Sequence, residues 1–183
     1  MEAAGSVVGD LVVEVSAEDR SVEAAGSVEA GPAGGGEMNA KEFLEKIDEP
    51  TVLAAVRETE GGTSGEVRVF VSRRRLRGRD VTKRAHKEFH RLDMDTTDER
   101  NAVLFYVVPR DRKFAVIGDE AVHAKCGEGF WQETAKMLEA DFAEGRFTEG
   151  LVKGIRRAGE LLARHFPKTA GNRNELPDQI ARD

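Results

Sequence analysis

Residues 101–118 of the chain read NAVLFYVVPRDRKFAVIG, and the fold depends on this stretch. The run VLFYVV, residues 103–108, is continuously apolar, as expected for a strand in the covered middle of a sheet. The segment PRDR, residues 109–112, predicts a turn, and KFAVIG, residues 113–118, predicts the next strand. We therefore expect a hairpin of two buried strands.

Helical and strand patterns continue on both sides of this hairpin. The segment EVRVFVS, residues 66–72, alternates valines with other residues and predicts a further strand. Two helices are predicted before it, capped by Asn39 and Asp48, and a third follows over residues 80–94. Two amphipathic helices are expected after Gly127. The order α-α-β-α-β-β-α-α predicts an α/β fold, a three-layer α/β/α sandwich with a small mixed central sheet.

The composition of the chain fits one globular domain with additional length at its ends. Its 183 residues are 39% hydrophobic and 34% charged. Residues 1–37 carry little bulky apolar surface, so we expect a disordered N-terminal extension. The predicted domain covers residues 38–168, and residues 169–183 form a predicted C-terminal tail.

The same composition bears on the compartment. The longest run of bulky apolar residues, VLFYVV, is far shorter than the roughly 20 residues of a membrane helix, so no membrane span is expected. The acidic N-terminus has no lysine or arginine before Arg20, unlike a secretory signal. The single cysteine fits a reducing compartment. Together these features predict a cytoplasmic protein.

The segment SRRRLRGRD, residues 72–80, contains five arginines within seven positions. It falls between a predicted strand and a predicted helix, which favours a solvated loop. Because the guanidinium group matches phosphate oxygens, a phosphate or an acidic protein partner is the functional alternative for Arg73, Arg74 and Arg75. Nucleic acid is not expected, since the chain carries a net charge of -6 and lacks a recognisable nucleic-acid module.

Acidic and amide side chains stand at the ends of the predicted strands. These candidates are Glu66, Asn101, Asp111, Asp119 and Glu120. Their hard oxygen atoms suit Mg²⁺ or Ca²⁺, although each residue type is also common in caps and turns. The chain has no GxSxG elbow, P-loop, GxGxxG loop or CxxC pair, so the commonest hydrolase, nucleotide and zinc motifs are absent.

Four strings, taken in order, resemble the TPM domain family: TSGEVRVFVS, RNAVLFYVVPRDRKFAVIGDEAVHAKCGEGFW, FAEGRFTEGLVKGI and NELPDQI. The resemblance covers about residues 41–180. It implies an α/β/α sandwich, binding of Ca²⁺ or Mg²⁺ in some members, and acid phosphatase activity in thylakoid members. Other members of the family resemble non-catalytic modulators of membrane assemblies.

The resemblance also matches individual positions. Its acidic and amide positions correspond to Glu66, Asn101, Asp111, Asp119 and Glu128. The chain departs from the family pattern at Ala102, where many relatives have glycine, and at Glu99-Arg100, where many have an aspartate beside the asparagine.

Two functional hypotheses follow. The first is a divalent-cation site that hydrolyses phosphomonoesters, in which Arg68 or Arg112 stabilises charge on the phosphoryl group. The alternative is a non-catalytic interaction or scaffold module that binds an acidic or membrane-associated partner.

Overall fold

A computed structural model describes residues 38–169, 176–177 and 179–183, without the side chains of residues 126–128. The helices are α1 (Ala40–Lys46), α2 (Glu49–Gly61), α3 (Val81–Arg91), α4 (Glu120–Ala143) and α5 (Phe147–His165). The strands are β1 (Val67–Val71), β2 (Val103–Val108), β3 (Lys113–Gly118) and β4 (Ala181–Arg182). The predicted fold class and the predicted order are confirmed, and β4 follows them in the chain. The predicted disorder of residues 1–37 lies outside the described residues, and the domain boundaries stay predictions.

The four strands form one mixed sheet in the order β3-β2-β1-β4. Strand β1 runs parallel to both β2 and β4, whereas β2 and β3 form the predicted antiparallel hairpin. The amino end of the sheet is therefore where β1 and β2 begin and β3 finishes. At the opposite end, which we call the carboxyl end, β1, β2 and β4 finish and β3 begins.

Helices cover both faces of the sheet, which gives the three layers. The valines of β1, together with Phe105 and Val107 of β2, pack into a core with α1, α2, α4 and α5. Phe70 and Tyr106 face the other side, where α3 closes a second core. Because both faces are covered, β2 is buried along its whole length, as its continuous apolar run predicts.

Local capping sets the limits of the helices. Asn39 and Glu42 form a capping box at α1, and the side chain of Asp80 accepts from the backbone N–H groups that begin α3. Helix α4 begins at Glu120, capped by Asp119, and not after Gly127 as the sequence pattern predicted. Within the described residues, no helix is long and apolar enough to cross a membrane.

Candidate metal centre at the amino end of the sheet

Four of the five predicted metal ligands lie at the amino end of the sheet. Glu66 directly precedes β1, Asn101 lies two residues before β2, and Asp119 and Glu120 directly follow β3. They share this end because β1 and β2 are parallel and begin together, whereas β3 runs the other way and finishes beside them.

Asp111 lies at the carboxyl end, in the turn that joins β2 to β3. Its Oδ2 accepts a hydrogen bond of 2.8 Å from the backbone N–H of Leu76, in the arginine-rich segment of residues 72–80. The antiparallel hairpin therefore separates Asp111 from the other four residues by the length of the strands.

Glu66, Ala102 and Asp119 stand in a row across the three strands. Asp119 N donates to Ala102 O at 2.9 Å, and Val103 N donates to Glu66 O at 2.8 Å, which extends the strand register by one residue. Residues in register point to the same face of a sheet, and two strand spacings separate the outer Cα atoms by about 10 Å. The small side chain of Ala102 therefore lies between two buried carboxylates, of which Glu66 is 3% and Asp119 0% exposed.

Asp119 combines a structural and an electrostatic role. Its Oδ1 accepts from the backbone N–H of Glu120 at 2.8 Å, which caps α4, and lies 3.0 Å from Nη2 of Arg100. Its Oδ2 is buried and has no hydrogen-bond partner. Burial is the main influence on this carboxyl group and raises its pKa, although the Glu120 amide and Arg100 act in the opposite direction.

Asn101 is oriented by Ser64 and Glu99, and the sequence analysis did not assign Ser64 to the site. Its Nδ2 donates to Ser64 Oγ at 3.1 Å and to Glu99 Oε2 at 3.0 Å, and the Ser64 hydroxyl also donates to Glu99. These contacts fix the amide so that Oδ1 is its unused atom. That oxygen is buried and has no hydrogen-bond partner.

The sequence analysis also missed the role of Arg100. It adopts a left-handed backbone conformation with a φ of 53°, which is uncommon outside glycine. Its guanidinium group contacts the carboxylate of Asp119 and the backbone carbonyl of Asp95. The side chain is 35% exposed, so it lies between the buried Asp119 and solvent.

The predicted phosphate contacts are divided between the two ends. Arg68 belongs to β1 and is 5% exposed; burial lowers its pKa, while the nearby charges of Glu66 and Glu60 raise it. Arg112 lies in the β2–β3 turn at the carboxyl end, with a φ of 50°. The loop that carries Arg73, Arg74 and Arg75 is also at the carboxyl end, after β1.

The candidate ligands form a mixed set of carboxylate and amide oxygens. Among the residues with described side chains, no group of three or more His, Cys, Asp or Glu residues is placed to hold a metal ion. The side chain of Glu128, which the resemblance adds to the acidic positions, is outside that description. One or two carboxylates with an amide oxygen and water molecules suit Mg²⁺ better than Ca²⁺, which takes six to eight oxygen ligands.

Comparisons with known proteins agree with the observed fold. A family model described as the TPM domain matches residues 38–161. The NMR structure of BA42 protein from the psychrophilic bacterium Bizionia argentinensis is similar to this chain, with 36% identity and a TM-score of 0.68. The similarity covers 76% of this chain and 94% of BA42. No curated protein matches the chain significantly. On the family match and this structural similarity, the chain belongs to the TPM domain family.

Proposed function

We propose that this TPM domain binds a hard divalent cation at the amino end of its sheet and hydrolyses phosphomonoesters there. Asp119 and Asn101 are the candidate ligands in this proposal, and Glu66 and Glu120 lie at the same end of the sheet. Mg²⁺ is the preferred cation because the protein offers few ligands, and Mg²⁺ commonly retains water or takes substrate phosphate as its remaining ligands.

The observation that carries the proposal is a pair of buried oxygens without donors. Asp119 Oδ2 and Asn101 Oδ1 have no hydrogen-bond partner, and Asp119 N bonds to Ala102, the residue that follows Asn101. A buried acceptor left without a partner costs about 1–3 kcal/mol. A cation bound to Asp119 Oδ2 or to Asn101 Oδ1 would remove the cost at that oxygen, and the fixed orientation of Asn101 prepares its oxygen for that role.

The charges around the site favour a phosphate ligand together with the cation. Arg68 and Arg100 already balance the charges of Glu66 and Asp119. A bound Mg²⁺ supplies Lewis-acid polarisation of a phosphoryl oxygen. A phosphomonoester dianion would bind to the cation, and the partly exposed Arg100 would hold its oxygens.

Calorimetric titration of the full chain with Mg²⁺ and Ca²⁺ tests cation binding, and a p-nitrophenyl phosphate assay in the same buffers tests hydrolysis. The informative variant is Asp119→Asn, which removes the charge and keeps the shape. Asp111→Asn is the matched control, because it makes the same change at the opposite end of the sheet.

We expect Mg²⁺ binding that is lost in Asp119→Asn and retained in Asp111→Asn, with turnover lost in parallel. Equal binding by the wild-type protein and Asp119→Asn would refute the site. Binding without turnover would remove the hydrolytic part of the proposal and leave a cation-binding interaction module, the alternative that the sequence analysis raised.

A further inference from the structure

A groove at the carboxyl end of the sheet lies apart from the proposed metal centre. Its volume is about 480 Å³, within the range of small-ligand sites. The charged residues that line it are Lys41, Glu45, Glu49, Arg73, Arg110 and Arg182. The lining carries four cationic and two acidic side chains, a local excess of positive charge in a protein whose net charge is -6.

Two of these arginines have uncommitted guanidinium groups. Arg182 pairs with Glu49 at 2.7 Å, and Lys41 lies 3.7 Å from Glu45. By contrast, the exposed side chains of Arg73 and Arg110 form no ion pair with any described residue. The groove therefore presents two guanidinium groups that an anion can bind without breaking an existing pair.

A carboxylate of the chain itself shows that this end of the sheet accommodates an anion. The side chain of Asp183 is 7% exposed and accepts from Arg73 N at 2.6 Å and from Ser72 Oγ at 3.2 Å. Arg74 Nε lies 3.5 Å from the same carboxylate. These contacts fix the backbone at Arg73 and pair the Arg74 side chain with Asp183, while the Arg73 side chain lines the groove.

The position of the groove matches the usual location of ligands in α/β proteins. Arg73 lies beyond the end of β1, Arg110 beyond the end of β2, and Arg182 is the last residue of β4. Open α/β sheets commonly bind ligands outside the carboxyl ends of their parallel strands. Strands of five or six residues place this groove roughly 17–20 Å from the amino end.

We propose that this groove is a second ligand site that binds a small phosphate-bearing anion through Arg73 and Arg110. The guanidinium fork matches phosphate oxygens in pairs, and two such groups complement a dianion. Glu45 and Glu49 border the same groove and pair with Lys41 and Arg182, which confines its free positive charge to Arg73 and Arg110. A compact soluble phosphate is therefore favoured over an acidic peptide or a nucleic acid.

NMR titration of the ¹⁵N-labelled full chain with inorganic phosphate tests this site separately from the metal centre. The buffer contains EDTA, has constant ionic strength, and is held at about pH 8, where phosphate is a dianion. We expect shifts of the amide resonances of Arg73, Arg110 and Arg182. Shifts that map to the amino end of the sheet would overturn the proposal. The same shifts produced by sodium chloride in place of phosphate would also overturn it.

Single variants at the exposed arginines make the test specific without disturbing the core. We expect phosphate binding to weaken about five- to tenfold in Arg73→Gln and in Arg110→Gln, since each loses a charge-assisted contact. Arg79→Gln is the matched control, because Arg79 is an exposed arginine of the same loop that does not line the groove. Equal affinity in all three variants would contradict the assignment.

The source of the phosphate is distinguished with two further probes. Glycerol phosphate is expected to bind as inorganic phosphate does, with the same dependence on Arg73 and Arg110. Binding only to phosphatidylcholine vesicles that contain phosphatidic acid, with no binding of either soluble probe, would overturn the proposal of a soluble ligand.

Discussion

Gly118 provides a sharp test of the packing that positions Asp119. This glycine is the last residue of β3, directly before Asp119. A Cβ atom at this position would lie 2.6 Å from Cζ2 and 3.1 Å from Cη2 of Trp131. Trp131 is buried on α4, so a methyl group forces the indole ring away from the sheet.

The expected cost of Gly118→Ala follows from this contact. The ring must move by about 0.8 Å to restore an ordinary separation, and overpacking of this kind costs about 1–3 kcal/mol. Replacement of glycine by alanine also lowers the conformational entropy of the unfolded chain, which offsets roughly 0.4–1 kcal/mol of this cost. We therefore expect a net loss of about 1–2 kcal/mol in the free energy of unfolding, and a Tm lower by about 2–8 °C.

Urea denaturation followed by tryptophan fluorescence measures this loss, and Trp131 is the single tryptophan of the chain. Gly129→Ala is the control, because a Cβ atom there meets nothing within 4 Å and the residue lies within α4. Alanine in that helix should stabilise the protein by about 0.5–1 kcal/mol. If Gly118→Ala were as stable as Gly129→Ala, the close packing of Trp131 against β3 would be refuted.

Three further predictions concern buried acidic groups. Burial raises the pKa of Asp119, so its contribution to stability is present at low pH and is lost as pH rises through the folded-state pKa. The free energy of unfolding of the wild-type protein should therefore fall relative to that of Asp119→Asn between about pH 3 and pH 7. A difference between the two proteins that stays constant with pH in urea denaturation would contradict this. Hydrogen bonds from Lys153 and, to a smaller extent, Arg146 lower the pKa of Asp141. Asp141→Asn should therefore lower the free energy of unfolding by about 1 kcal/mol near pH 7, and by progressively less as acid protonates the wild-type carboxylate. An equal loss of Tm near pH 7 and in acid would argue against this ion pair. Asp183→Ala removes the acceptor for Arg73 N, so amide hydrogen exchange at Arg73 should accelerate, and unchanged exchange would exclude an anchoring role.

The sequence was sufficient to predict the main elements of the fold because their signals are local. Alternating valines, a continuous apolar run and capping residues identify the first three strands and the first three helices. Strand β4 has only two residues, Ala181–Arg182, and it forms by pairing with β1. Two residues are too few for a sequence periodicity to indicate a strand. The start of α4 was misplaced, since the helical pattern was taken to begin after Gly127, whereas the helix begins at Glu120 with Asp119 as its cap.

The candidate site was predictable in its residue types and less so in its geometry. Strand direction explains why Asp111 is separate, since a hairpin turn lies at the opposite end from the point where its second strand finishes. Arg100 carried no recognisable signal, because its contact with Asp119 depends on an uncommon backbone conformation just before β2. Ser64 orients Asn101 across a separation of 37 residues, which only the folded chain reveals.

Line broadening by Mn²⁺, used in place of Mg²⁺, shows at which end of the sheet the cation binds. Broadening in NMR spectra of the ¹⁵N-labelled full chain identifies the amides closest to the paramagnetic ion. We expect selective loss of the amide signals of Asn101, Ala102, Asp119 and Glu120, reversed by excess Mg²⁺. Selective loss around Asp111 at the carboxyl end, or uniform broadening across the chain, would exclude a cation site at the amino end.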